Sequence, residues 1–436
     1  MTKQSEQSVA AEAAANEGLP LEQQMAGALV SGDTGVGDAI DLLLREAAAQ
    51  GASDIHLEPW DDRLAIRFRL DGLLHHVAAL PREHQARLIS RVKVLARIPV
   101  YQRDLPRDGR IDARADVGRS AMRVSTFPTV YGEKIVIRLL ETQASLLDLP
   151  SLGFAPDVLA LLQRIVERPQ GLLLLTGPSS SGKTTTIYAV LRALADSRTP
   201  LPHIATIEDP VEYRLGNISQ TEVNARAGLT YAAALRAVLR QDPEIIMIGE
   251  IRDPETAQTA VQAGLTGHLV ISTIHSGTAA GVFTRLLDMG VEPYLLASSV
   301  TGVLAQRLVR VICGQCRTDQ AASPEALLRF GLPRDTTLRI GAGCVACRHT
   351  GYAGRTAIGE ALSMSEDLAE ALLARPRTRA LHEIALRMGM TPLLSQGVLK
   401  VRQGITTLSE LRRVMPVEWA AEPPAADAAG EESVES

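Results

Sequence analysis

Aromatic side chains make up only 3% of this 436-residue chain, and its formal charge is −5. A nucleic-acid motor usually offers a basic face and stacking aromatics, so both scarcities speak against one, although net charge does not report a local patch. No run of about 18 apolar residues occurs, which speaks against a transmembrane helix. The opening MTKQSEQSVAAEAAANEG lacks the apolar stretch of a signal peptide. Together these absences imply a cytosolic protein. Its four cysteines then belong to a reducing compartment, where disulfides are rare. What the chain does have is 46% hydrophobic residues, enough for sizeable cores, and a length that implies two or three domains. There is no internal repeat.

One stretch carries a specific chemistry. GPSSSGKTTT, Gly177 to Thr186, follows the apolar run LLLLT. Gly177, four residues, then Gly182-Lys183-Thr184 is the P-loop spacing. Gly177, Pro178, Ser179, Ser180, Ser181 and Gly182 are the loop whose backbone N–H groups would curl around phosphate oxygens. Lys183 would reach the β- and γ-phosphates, Thr184 would ligate Mg²⁺, and Thr185 follows in the first helical turn. Leu172 to Leu175 reads as a buried strand, and Ile187, Val190, Leu191 and Leu194 recur at helical spacing. A chance Gly/Ser turn would not need that strand and helix around it.

Organisation follows from pattern. Residues 1–35 and 416–436 are rich in small and polar residues and read as disordered tails. Residues 36–145 read as an N-terminal α/β domain. Gly37 to Ala49 has helical spacing, and Leu64, Ile66, Phe68 and Leu70 alternate in a strand that Asp71-Gly72 turns into a hairpin. AMRVSTF and KIVIRLL form a second strand pair, with Arg123 and Arg138 on the side away from the apolar residues. Position alone makes these arginines an ordinary solvated sheet face. His56, His75, His76 and His84 have no partner at metal-ligand spacing and read as surface or core residues. Residues 146–156 read as a linker. Residues 157–310 alternate strands and helices, which implies a mostly parallel sheet covered on both faces. Three strand-like runs end in chemistry: HIATIE at Glu208-Asp209, EIIMIGE at Glu250 and HLVISTI at His275. Ligands in such folds sit at these carboxyl ends. A lone carboxylate there is usually a solvated loop charge. Several at the strand ends of one P-loop domain fit an ATPase that needs an acid near Mg²⁺ and a group to orient water.

Cys313-Gly-Gln-Cys316 and Cys344-Val-Ala-Cys347 are two CxxC knuckles. Each can fill two corners of a tetrahedron, so a closed structural Zn²⁺ site is the natural reading. A redox pair or unrelated buried thiols are the alternatives. The four-cysteine module spans residues 311–360, and a C-terminal helical region spans 361–415.

Several segments resemble the secretion ATPase superfamily of type II secretion, type IV pilus assembly and type IV secretion motors. They are GPSSSGKT, TIEDPVEY, RQDPEIIMIGEIRD and TGHLVISTIHS, with GASDIHLEP, RDGRI, RVSTFPTVYGEKIVIRLL and AQRLVRVIC in the family's order. The resemblance covers about residues 36 to 415. It implies a RecA-like P-loop ATPase domain, a separate N-terminal α/β domain, a C-terminal zinc-binding and helical module, and a homo-hexameric ring. It makes Glu250 the Walker B general base or water-positioning residue. Glu208, Asp209 and Glu212 become the Asp box that helps hold Mg²⁺ and its waters. His268 and His275 become the His box near the γ-phosphate, though a lone histidine is more often a packed residue. Arg123 and Arg138 match family arginines that reach the ATP phosphates. CVACRHTGYAGRTAIGE resembles the metal module of assembly and secretion ATPases.

The implied protein is an ATP-hydrolysing type II secretion motor at the cytosolic face of the inner membrane, driving pseudopilus assembly. Its implied partners are the cytosolic domain of an inner-membrane secretion-platform protein and an inner-membrane assembly-platform protein, with no nucleic acid. A type IV pilus assembly ATPase, a RecA-like nucleic-acid translocase and a non-hydrolysing scaffold are the other readings; Glu250 with Lys183 argues against the last. The short stretch ahead of the resemblance implies a weaker membrane partnership or one built on another surface. One residue departs from the pattern: Ser180 stands where the family usually has Gly, and a Cβ there restricts a backbone that needs positive φ.

Overall fold

The structure is a computed structural model that describes residues 20–112, 121–139, 148–333 and 336–415. The chain divides into two compact units, Met1–Gln143 and Ala144–Ser436.

In the first unit, helices α1 (Leu21–Leu29), α2 (Gly32–Ala49) and α3 (Gln85–Leu95) pack on one face of a six-stranded antiparallel sheet. The strands are β1 (Asp54–Pro59), β2 (Arg63–Leu70), β3 (Leu73–Pro81), β4 (Arg107–Ile111), β5 (Met122–Thr129) and β6 (Gly132–Leu139), ordered β3-β2-β1-β6-β5-β4. The alternation seen in the sequence sets the core. Leu64, Ile66, Phe68 and Leu70 of β2 join Ile135 and Ile137 of β6 beneath Ile40, Leu43 and Leu44 of α2. Asp71 and Gly72 both take positive φ (47° and 85°) in the hairpin turn, as a tight primed turn requires. The tail expected through residue 35 is corrected from Leu21 onward. Leu21, Met25 and Leu29 recur at helical spacing and are buried in this core, and α2 starts five residues ahead of its expected Gly37. Ala- and Gln-rich composition hid a one-sided apolar stripe.

The second unit is built on a seven-stranded sheet, ordered β15-β12-β7-β11-β10-β8-β9. Its members are β7 (Gly171–Thr176), β8 (Ile204–Glu208), β9 (Ser219–Glu222), β10 (Ile245–Ile248), β11 (Leu269–Thr273), β12 (Val300–Ile312) and β15 (Tyr352–Ser363). All pairings are parallel except β12 with β15. Both faces are covered, so the strands read as continuous apolar runs. Leu172 and Leu174 face one core with Ile246, Ile248 and Val270. Leu173 and Leu175 face the other with helices α4 (Pro156–Val166) and α5 (Lys183–Ser197). The expected linker is partly core: Leu149, Leu152 and Phe154 are buried in that second layer.

The four-cysteine module is an excursion from this sheet. It leaves at the end of β12, forms the ribbon β13 (Arg317–Ala321) with β14 (Thr337–Gly341), and returns through β15. Four helices within Glu366–Val414 follow β15.

Candidate active site and metal centre

β7 is buried throughout and delivers the chain to Gly177. There the backbone takes φ 148°, and a Cβ would come within 2.5 Å of the Gln306 carbonyl and 2.6 Å of Ser181 Oγ, so this position needs glycine. Pro178, Ser179 and Ser180 are exposed, and Ser181 is buried. Gly182 (φ 86°) opens α5 at Lys183, with Thr184 and Thr185 half-buried in its first turn. The strand–loop–helix order expected of a phosphate loop is therefore present. Ser180 sits at φ 61°, in the left-handed region where the sequence comparison placed the difficulty.

Lys183 Nζ donates to the carbonyls of Gly177 (2.8 Å) and Pro178 (3.0 Å). Burial draws its pKa below the ordinary lysine range; the charge of Glu250 opposes this and that of Arg307 adds to it. Glu250 lies just beyond β10. One of its oxygens is 2.9 Å from His275 Nε2 and the other accepts from Arg252 Nε at 2.7 Å. The Glu250 side chain is 15% exposed, the His275 side chain 59%. They meet because β10 and β11 are parallel neighbours in the register Ile248↔Ser272. Thr273 Oγ1 donates to the Gly249 carbonyl (2.7 Å), locking the two strand ends together. Thr176 exchanges hydrogen bonds with the Ser276 backbone at 2.8 and 2.9 Å, tying the His275 loop to the end of β7.

One of the expected ligands lies elsewhere, and a second is engaged by the protein. His268 precedes β11 at the opposite end of the sheet. Its carbonyl accepts from Gly171 N, which begins β7 (3.0 Å), and its ring Nδ1 contacts the Ala263 carbonyl (3.2 Å). Five strand residues at about 3.3 Å each put it roughly 17 Å from the phosphate-loop end. Glu208 ends β8 as expected but turns inward. Its carboxylate accepts from Tyr188 Oη, Thr206 Oγ1 (2.5 Å) and Gln220 Nε2 (3.1 Å). Burial first, and then the Glu208 charge, push the Tyr188 phenol far up, so it remains a donor. Glu208 is thus held by two buried donors and a half-buried one, which occupy three of its roughly four acceptor sites. Asp209 is exposed and Glu212 half-buried beyond it.

Sequence reasoning assigned no role to Gln306 and Arg307 of β12. Gln306 is fully buried and donates Nε2 to the Ser181 carbonyl (2.7 Å). Arg307, also buried, donates to the carbonyls of Gln306 (2.9 Å) and Gly277 (3.3 Å), joining β12 to the loop beyond His275. The signal was available: two long polar residues interrupt the apolar run VTGVLAQRLVRVI, and buried arginine is rare without a purpose. Arg123 and Arg138 belong to the first unit, directly opposite one another on β5 and β6 and exposed.

The four cysteine sulfurs lie within 4.8 Å of one another. Cys313–Cys344, Cys316–Cys347 and Cys344–Cys347 are 3.9, 3.7 and 3.8 Å apart. Thiolates about 2.3 Å from a tetrahedral zinc stand about 3.8 Å from each other, so the set fits that ion. The knuckles meet because the backbone passes very close to itself; a Cβ on Gly341 would fall 1.9 Å from the Gly351 carbonyl. Burial works against ionising Cys347, yet the N–H groups of Cys344 and Gly351 and the neighbouring thiols draw it down to about 6.

A buried parallel sheet, a phosphate loop at its carboxyl edge, and a carboxylate–histidine pair beside that loop define a P-loop nucleotide-hydrolysing domain of RecA-like type. Residues 21–413 match the family described as Type II/IV secretion system protein. The Type II secretion system ATPase E of Vibrio cholerae is 46% identical over 377 residues, covering 86% of this chain and 74% of its own. The type IV pilus assembly ATPase PilB of Thermus thermophilus is 45% identical over 373 residues, covering 85% of this chain and 42% of its own. Among solved structures, the pilus retraction motor PilT with bound ADP aligns with a TM-score of 0.59 at 26% identity, covering 86% and 97% of the two chains. The chain belongs to the Type II/IV secretion system protein family.

Proposed function

We propose that this chain is the ATPase of a type II secretion system, converting ATP hydrolysis into pseudopilus assembly. The observation that carries the reading is the convergence of the Lys183 loop with the Glu250–His275 pair at one edge of one sheet. The loop N–H groups and Lys183 hold the phosphates of ATP. Thr184 would hold Mg²⁺, with Asp209 and Glu212 as further oxygen donors, and the ion would supply positive charge to the phosphates. Glu250, oriented by Arg252 and His275, positions the attacking water and accepts its proton. His275 senses the γ-phosphate through that contact. Arg123 and Arg138 offer exposed guanidinium groups on the first unit's sheet, and the planar fork of each suits a phosphate better than a lysine would. Glu208 acts through Tyr188 and Thr206 as a support for the strand end. The four cysteines hold a structural Zn²⁺ that stabilises the C-terminal module without taking part in chemistry.

The motor works as a homo-hexamer at the cytosolic face of the inner membrane, with platform proteins as partners. Among the described residues, no helix is long and apolar enough to cross a membrane. The likeness to PilB favours a second reading, a type IV pilus assembly ATPase. Complementation separates the two. The chain should restore protein export in a strain whose secretion ATPase is deleted and should leave piliation of a pilus-ATPase mutant absent. Restored piliation without restored export reverses the assignment.

A further inference from the structure

β12 runs beside β7 in the register Leu304↔Leu175 and Ala305↔Thr176, which brings Gln306 alongside the point where β7 gives way to the phosphate loop. Side chains alternate between the two faces of a strand. Leu304 and Leu308, on either side of Gln306 and on its face, pack in the layer that also holds Ile187 and Leu191 of α5. The pattern therefore calls for an apolar residue at 306. A carboxamide stands there instead, fully buried and incompletely paired. Nε2 donates to the Ser181 carbonyl at 2.7 Å; since a carbonyl only accepts, the amide nitrogen must be the end that faces it. Oε1 has no hydrogen-bond partner among the described residues, nor has the buried Ser181 Oγ. Unpaired polar atoms in a core are costly, so a carboxamide kept here asks for a reason beyond packing. The contact is closely seated as well: a Cβ on Gly182 would stand 3.3 Å from Nε2.

The reason lies in the peptide that Gln306 holds. The Ser181–Gly182 peptide is planar and trans, so its C=O and N–H point in opposite directions. A grip on the Ser181 carbonyl from β12 turns the Gly182 N–H the other way, toward the open side of the loop at the start of α5, where backbone donors meet an anion. We propose that Gln306 is a positioning residue for the phosphate loop: by holding the Ser181 carbonyl it aims the Gly182 N–H at the phosphates of ATP. The inference rests on the reading of Gly177 to Thr184 as the loop that binds ATP. Gln306 acts through the loop and not on the nucleotide. Its loss leaves Lys183 in place and removes the orientation of one backbone donor. A hydrogen bond to a charged group is worth about 10-fold or more in binding. Because this N–H serves substrate and transition state alike, the loss falls on KM rather than kcat.

The test uses the full chain and reads binding of a non-hydrolysable ATP analogue, steady-state ATP hydrolysis and thermal melting, with binding and turnover measured well below the melting transition. Gln306→Leu completes the apolar pattern of the strand. Gln306→Met keeps the unbranched shape and is read in its place if Gln306→Leu fails to fold. Either variant is expected to bind the analogue about 10-fold more weakly and to raise the KM for ATP in proportion, with kcat within a few-fold of wild type. The melting temperature should stay level or rise, because the substitution also removes the unpaired Oε1. Lys183→Ala separates this inference from the reading beneath it. If Lys183→Ala binds and hydrolyses ATP as wild type does, the phosphate-loop reading falls and the inference with it. If Lys183→Ala is inactive but the Gln306 variant binds the analogue as tightly as wild type, the positioning role alone is overturned, whatever happens to the melting temperature. A loss confined to kcat overturns it as well, because a donor aimed at the ground-state phosphates must act on binding.

Discussion

Replacing Ser180 by glycine should strengthen this protein, and the size of the effect can be worked out. Ser180 holds φ 61°, a conformation that costs an L-residue about 1–2 kcal/mol. Its side chain is exposed, so removing it uncovers no core. Glycine brings an opposing cost of about 0.5–1 kcal/mol, because the unfolded chain gains freedom. The strain wins by about 0.75 kcal/mol at the midpoints, within a span of about 0–1.5 kcal/mol. If nucleotide binding keeps the loop in this conformation, the strain is common to free and bound protein, and Ser180→Gly should leave nucleotide affinity nearly unchanged. Ser180→Ala keeps the Cβ, and with it the strain, and serves as the control. Chemical denaturation of both variants, with titration of a non-hydrolysable ATP analogue, measures both effects. A Ser180→Gly variant less stable than wild type, or a Ser180→Ala variant that gains as much, would refute the strain argument.

Cys316→Ser should abolish zinc binding and lower the melting temperature, because thiolate–metal binding is coupled to folding. Elemental analysis should find about one zinc per wild-type chain; metal-free protein with four titratable thiols and unchanged melting contradicts the site. His56 supplies a pH dependence. Burial, followed by the charges of Lys134 and Arg69, holds its pKa below the ordinary range, while Glu58 and Asp54 oppose. The unfolded chain therefore takes up the proton first. The contribution of His56 is full above its unfolded pKa of about 6.5 and is lost as pH falls through the lower folded value. Denaturation of wild type and His56→Gln between pH 7.5 and 5 should show a shallower fall in the variant; identical slopes would remove His56 from that account.

The strand ends were legible because composition and topology agree there. LLLLT, HIATIE, EIIMIGE and HLVISTI are too apolar for anything but a doubly covered sheet, and ligands gather at its carboxyl edge. The meeting of Glu250 with His275 follows from those strands being parallel neighbours, which no local pattern states. His268 shows the cost of reading a motif as a point. His268 and His275 flank a five-residue strand, so they fall at opposite ends of the sheet. Glu208 could not be judged from its own segment, since Tyr188 and Gln220 reach it from a helix and an edge strand. Helix α1 was missed because Leu21, Met25 and Leu29 are thinly spread among alanine, glycine and glutamine; tertiary burial fixes that helix.

The central claim is that Lys183 and Glu250 serve successive needs of one reaction, phosphate binding and water activation. Phosphate release and nucleotide binding should be measured side by side for wild type, Lys183→Ala and Glu250→Gln. The account predicts that Lys183→Ala loses hydrolysis, and that Glu250→Gln retains nucleotide binding while turnover falls on the order of 10²-fold or more, because an amide cannot take the proton of the attacking water. Near-normal turnover by Glu250→Gln would contradict it and move the base to Asp209 or Glu212.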